Sequence, residues 1–182
     1  RLAIPILLAG LGGLYSEKTG VVNIGLEGMM IMGTWFGAWG GYTFGAWQGV
    51  FIGMLGGALF GLIHAIATVS FQVDHIVSGV AINILAAGVA RFLNVIAYKD
   101  VAFASSTASP RIQGDIGIFT MPFLAGGKIG ETETFNLFGN IEELDIFLVS
   151  DFAGLLLGFI SNISYLTLFA LALVPLSLLV LW

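Results

Sequence analysis

The chain has 182 residues, of which 58% are hydrophobic and 9% charged, with a mean hydropathy of +1.01 and a formal charge of -5. A water-soluble domain carries about a quarter of its residues as Asp, Glu, Lys or Arg, so this composition excludes an ordinary soluble surface and makes lipid the natural solvent. The six Lys and Arg form no basic cluster, which argues against nucleic acid as a partner, and the lack of cysteine excludes disulfides and cysteine-ligated metal.

In chain order, residues 2–15 read as a first apolar helix and not as a signal peptide, because no basic leader or small-residue cleavage site accompanies them. The chain opens at Arg1 and stops at Trp182 directly after an apolar segment, so it is expected to be part of a larger membrane protein. A polar, glycine-punctuated stretch follows at 16–30, where charged and amide groups mark either an aqueous boundary or a working site. Apolar segments then run at about 26–45 and 47–69, joined by a tight hairpin near 43–49. His64, Gln72, Asp74 and His75 surround the next turn, and a fourth segment covers 76–97.

Between residues 98 and 151 there are three basic and eight acidic residues, so this section carries the whole charge imbalance. Its shortage of Lys and Arg is compatible with translocation, which would put the turns near 20–25 and 70–75 on the cytoplasmic side. The apolar run 146–160 is short for a crossing, carries Asp151, and suits an interfacial or re-entrant helix. A last apolar segment covers 162–182. The expected fold is therefore all-α: a polytopic transmembrane helical bundle of about five spanning helices. Four of these lie in 1–97, a long extracytoplasmic loop occupies 98–161, and the fifth lies in 162–182.

Glycine recurs every four residues from Gly33 through Gly37, Gly41, Gly45, Gly49, Gly53 and Gly57 to Gly61. Small residues at this spacing let helix backbones approach closely in lipid. With a hairpin dividing the ladder, two separate packing faces are expected, one on each helix, and not one continuous groove. In the polar stretch, Asn23 and Glu27 are four apart and can share a helix face. A broken helix lining a cavity is one reading of them, and a loop followed by a capped helix start is the other.

Asp74 and Ser78 precede Asn83, Arg91 and Asn94 on the fourth segment, and Asn83 and Asn94, eleven apart, point in nearly the same direction. The Asn83 amide suits a polar uncharged solute, or equally a bond between helices. Arg91 must find acceptors or snorkel to a headgroup, and it is a candidate gate or ligand contact. Trp35, Trp39 and Trp47 are scattered near the hairpin and form no base-binding cage legible in the sequence. No metal-ligand or nucleophile arrangement accompanies His64 and His75, and Gly53–Gly57 lacks the ending of a phosphate loop, so any ATP site belongs to another subunit.

The run GGLYSEKTGVVNIGLEGMM at 12–30 and the run VDHIVSGVAINIL at 73–85 together resemble the nucleoside-type permease subunits of bacterial ATP-binding-cassette importers. That group also includes permeases for simple sugars and branched-chain amino acids. His75 stands where Gln is commoner, and the likeness covers most of 2–97 and the final helix from Tyr165, which is the N-terminal half of such a permease. The resemblance implies a non-enzymatic, multi-pass subunit of the bacterial cytoplasmic membrane that moves nucleosides by alternating access. It implies a second permease subunit, two ATPase subunits holding ATP and Mg, and an extracytoplasmic substrate-binding protein as partners. Asn23, Glu27, Asp74, Ser78 and Asn83 fall inside the signature blocks. A simple-sugar permease and a non-transporting structural subunit are the alternatives.

Overall fold

Apolar runs punctuated by glycine fold as helices in the computed structural model, which describes residues 3–100, 108–112, 114, 116–129, 131–144, 146 and 148–181. The chain divides into two compact units, one through residue 115 and one over Ile116–Val180.

The first unit begins with α1 (Ala3–Lys18), which tolerates Pro5 because first-turn N–H groups have no helical acceptor. The chain turns through Gly20, at φ +87°, into α2 (Leu26–Phe44). A single residue, Gly45, separates α2 from α3 (Ala46–Ala65). Its φ of +117° lies where an L side chain is strained, which is why glycine makes this one-residue reversal. Helix α3 runs on without a break into a π-helical turn, Ile66–Ser70. Gln72 then takes a left-handed φ of +54°, and α4 (His75–Ala97) begins.

The two glycine faces of the hairpin pack on each other. A β-carbon at Gly49 would stand 2.7 Å from Gly37 O and from Gly41 Cα, one at Gly53 would stand 2.9 Å from Gly33 O, and one at Gly57 would stand 3.4 Å from Met29 O. At Gly61 the nearest neighbour is Met29 Sδ at 3.8 Å. The expected separate faces are thus the two sides of a single interface, because antiparallel pairing about Gly45 sets each glycine opposite another. Along this glycine ladder the approach is closest beside Gly45 and widens towards the far end.

Helix α2 lies between α3 and α4, and Met32, Phe60, Ile82 and Ala86, one or two from each helix, form the buried centre. Large apolar side chains such as Phe51, Leu55, Ile84 and Phe92 point outwards instead, as they do where the surroundings are lipid. Of the five segments expected to span, two are long and apolar enough to do so: Ala46–Ser70 and His75–Ala97. At 25 and 23 residues they reach about 37 and 34 Å, against a hydrocarbon core of about 30 Å.

The second unit adds strands to the expected all-helical fold. Strand β1 (Ile118–Phe119) pairs antiparallel with β4 (Ile163–Ser164), and β2 (Lys128–Ile129) pairs with β3 (Thr132–Glu133), where Lys128 and Glu133 form an exposed 3.2 Å ion pair. The Asn136 side chain caps α5 (Leu137–Glu142) by accepting from Gly139 N at 2.9 Å. Helix α5 packs on α6 (Val149–Ile160), whose buried residues are the small Ser150 and Ala153, while Phe152 and Leu155 are exposed. The last helix, α7 (Tyr165–Leu181), carries Pro175 in its interior.

Candidate functional site

The polar residues of the first unit gather where α2 and α4 begin. Helix α2 starts behind Gly25, which has no side chain to cap it, so its first N–H groups need acceptors from elsewhere. Asn23 supplies one, its Oδ1 accepting from Gly25 N at 3.0 Å, while its Nδ2 reaches Met29 Sδ at 3.5 Å. Asn83 supplies the other from across the helix interface. Its Oδ1 accepts from Gly28 N at 2.7 Å, and its Nδ2 donates to Ile24 O at 3.1 Å. One amide therefore caps a neighbouring helix in trans.

That bond requires close backbone approach. A β-carbon at Gly28 would lie 2.8 Å from Ile82 O, and one at Gly79 would lie 2.8 Å from Gly25 N. Helix α4 is capped locally, Asp74 Oδ1 accepting from Ile76 N at 2.9 Å and from Val77 N at 3.0 Å. Ser78 is buried, and its Oγ shares a 2.9 Å hydrogen bond with Nδ1 of buried His64, whose Nε2 has no hydrogen-bond partner among the described residues. Thr68, in the π-helical turn, donates to His64 O at 2.9 Å, and Val22 N donates to His75 Nδ1 at 3.4 Å. Val22, Thr68 and residues 72–76 border an open cleft of about 450 Å³.

The structure thus brings Asn23, Asp74, Ser78 and Asn83 to one end of the helix crossing. Glu27 is exposed in the first turn of α2, where its charge complements the helix dipole, and Arg91 is exposed farther along α4. Among the described residues, neither side chain is hydrogen-bonded to the capping residues. Among the described residues, no group of three His, Asp or Glu is placed to hold a metal ion.

A second constellation, missed in the sequence, lies farther along the same helices. Trp35 Nε1 donates to Asn94 Oδ1 at 2.9 Å, and the Trp35 and Trp39 rings stack with centroids 6.3 Å apart and planes within 7°. Tyr42 meets Tyr98 edge to face at 5.8 Å. The shared direction of Asn83 and Asn94 was the one available signal, since both amides turn towards α2. Burial raises the Tyr98 phenol pKa, with Tyr42 adding to the effect, so Tyr98 stays protonated at neutral pH.

Residues 1–181 match the family described as branched-chain amino acid transport system / permease component, and the chain belongs to that family. The family is one of transport-system permease components and not of enzymes. Over 104 residues the chain is 48% identical to the guanosine ABC transporter permease protein NupQ of Bacillus subtilis (strain 168), covering 53% of this chain and 32% of that protein. It is 36% identical over 141 residues to the nucleoside ABC transporter permease protein NupC of Lactococcus lactis subsp. cremoris (strain MG1363), covering 71% of this chain and 42% of that one. It is also 38% identical over 97 residues to the putative glucose ABC transporter permease protein TsgC13 of Haloferax volcanii, covering 50% of this chain and 28% of that one. The chain thus spans less than half the length of the curated relatives it matches. No solved structure matches it.

Proposed function

We propose that the chain forms part of the membrane permease of an ATP-driven importer that moves nucleosides inward across a bacterial cytoplasmic membrane. The observation that carries this reading is the 48% identity to a permease named for guanosine, alongside a second relative named for nucleosides. The relative named for glucose keeps a simple sugar as the second reading. In this proposal α1, α2, α3 with its π-helical turn, α4 and α7 all span the bilayer, residues 98–161 lie mainly outside, and α6, about 18 Å long, rests at the interface. A second permease subunit, two ATPase subunits that bind ATP and Mg, and an extracytoplasmic receptor complete the machine.

No covalent step is needed. The permease must lower the cost of stripping water from a polar solute and then release it, so moderate contacts serve better than tight ones. The Asn83 bridge gives this a mechanical form. Because one α4 side chain holds both Ile24 O and Gly28 N, a tilt of α4 moves the start of α2 with it. Asn23, Asp74 and Ser78 would then work chiefly as positioning residues that keep the helix starts in register as the pathway opens and closes.

The test is uptake by the complete importer in proteoliposomes, with receptor and ATPase subunits present. Guanosine and uridine should accumulate only when ATP is hydrolysed. Glucose accumulating in their place would install the sugar reading, and uptake driven by an ion gradient without the ATPase subunits would remove the importer class altogether.

A further inference from the structure

Trp35, Trp39 and Tyr42 follow one another on α2 at steps of four and three, a row about 10 Å long. Asn94 on α4 and Tyr98, the residue that closes α4, answer it four positions apart, so Trp39 falls between two bridges, Trp35 to Asn94 and Tyr42 to Tyr98. The first bridge fixes the Trp35 indole, which also meets Phe36 at 5.1 Å with perpendicular planes, and the stacked Trp39 ring meets Phe44 at 5.9 Å, again with perpendicular planes.

Two features set this row apart from ordinary packing. Trp35 stands in the middle of α2, and its N–H is bonded to protein, whereas a tryptophan anchoring a membrane interface sits at a helix end with that group in the headgroups. Both indoles also keep part of their surface uncovered. At the Tyr42 end of the row is an unmet demand: Tyr98 is only 3% exposed, yet its hydroxyl has no hydrogen-bond partner among the described residues. A buried phenol normally finds one. An occupant that satisfied both features would offer a flat π-face to the indoles and a polar edge to the phenol.

We infer that Trp35, Trp39 and Tyr98 form a station that recognises the planar heteroaromatic base of the solute. The base stacks on the free indole surface, and a ring nitrogen or exocyclic oxygen accepts from the Tyr98 hydroxyl. This rests on the nucleoside reading above and assigns the selectivity to these residues, while the Asn83 end of the crossing handles movement. A sugar can lie on an indole too, but it lacks a conjugated edge that would quench the ring it covers.

The experiment titrates the complete, detergent-solubilised permease with guanosine and follows its tryptophan fluorescence, with glucose as the non-aromatic probe. Guanosine should quench the emission and glucose should not. Trp39→Leu and Tyr98→Phe should each weaken the guanosine response about tenfold, the loss expected when one stacking or polar contact to a base is removed, and Trp39→Phe should recover most of it. Tyr98→Phe carries a separate readout, because a purely structural phenol predicts a higher Tm with unchanged guanosine affinity. That result, or guanosine uptake by the wild-type importer without any quenching, overturns the station and leaves the transport reading standing. A wild-type importer that takes up no guanosine overturns the nucleoside reading and the station with it.

Discussion

Asn83 shows how one side chain can be spoken for twice. Its acceptor is taken by Gly28 N and one of its donors by Ile24 O, so it acts first as a clamp on backbone. Asn83→Leu leaves the Gly28 N–H without its partner and should lower the stability of the folded permease by about 1–3 kcal/mol, read as thermal unfolding in detergent. Asn83→Asp keeps the acceptor, loses the donor and should fall between leucine and wild type. Unchanged stability with reduced uptake would move the amide from the clamp to the solute. Ser78→Ala deprives buried His64 of the bond at Nδ1 and should cost about 1–2 kcal/mol in the same assay. In the sequence, eleven-residue spacing told which way Asn83 and Asn94 point. It could not tell what they meet, because a bond to the main chain of another helix leaves no pattern in residue types. The Trp35 bond to Asn94 was hidden for a related reason, since it links positions 59 apart.

Among the elements, the glycine hairpin was the most legible. A strict four-residue period broken at one point determines that two small-residue faces exist, and the reversal at Gly45 then pairs 33 with 57, 37 with 53 and 41 with 49. The sequence alone left those faces separate because periodicity describes a single helix and carries no information about its neighbour. The graded clearances predict a graded mutational response. Gly49→Val places side-chain atoms where a β-carbon already meets backbone at 2.7 Å, and it should prevent assembly, read as loss of monodisperse protein on size exclusion. Gly61→Ala meets only a methionine sulfur at 3.8 Å and should be tolerated within about 0.5 kcal/mol. The π-helical turn was not legible, because one extra residue in a helical turn leaves the apolar composition of Ile66–Ser70 unchanged.

For the molecule as a whole, family membership supplies the membrane, and helix geometry supplies part of the topology. Composition was enough to exclude a soluble domain, but apolar length distinguished only two helices, since Glu27, Thr34, Tyr42 and Thr43 lower the hydropathy of α2 and α7 has only 17 residues. Sidedness makes a prediction at this scale. A cysteine placed at Lys128, in the exposed β2–β3 hairpin, should react with an impermeant maleimide in intact cells. Reaction only after lysis would reverse the proposed orientation. The widening of the α2–α3 hairpin has a mechanical consequence as well. Where backbone meets backbone at the Gly45 end there is nothing to compress, whereas at the Met29–Gly61 end a flexible thioether fills the gap. Compliance is therefore concentrated at one end of the pair, beside the starts of α2 and α4. A force applied to these helices would be taken up as bending there, with the Gly45 end serving as a rigid fulcrum.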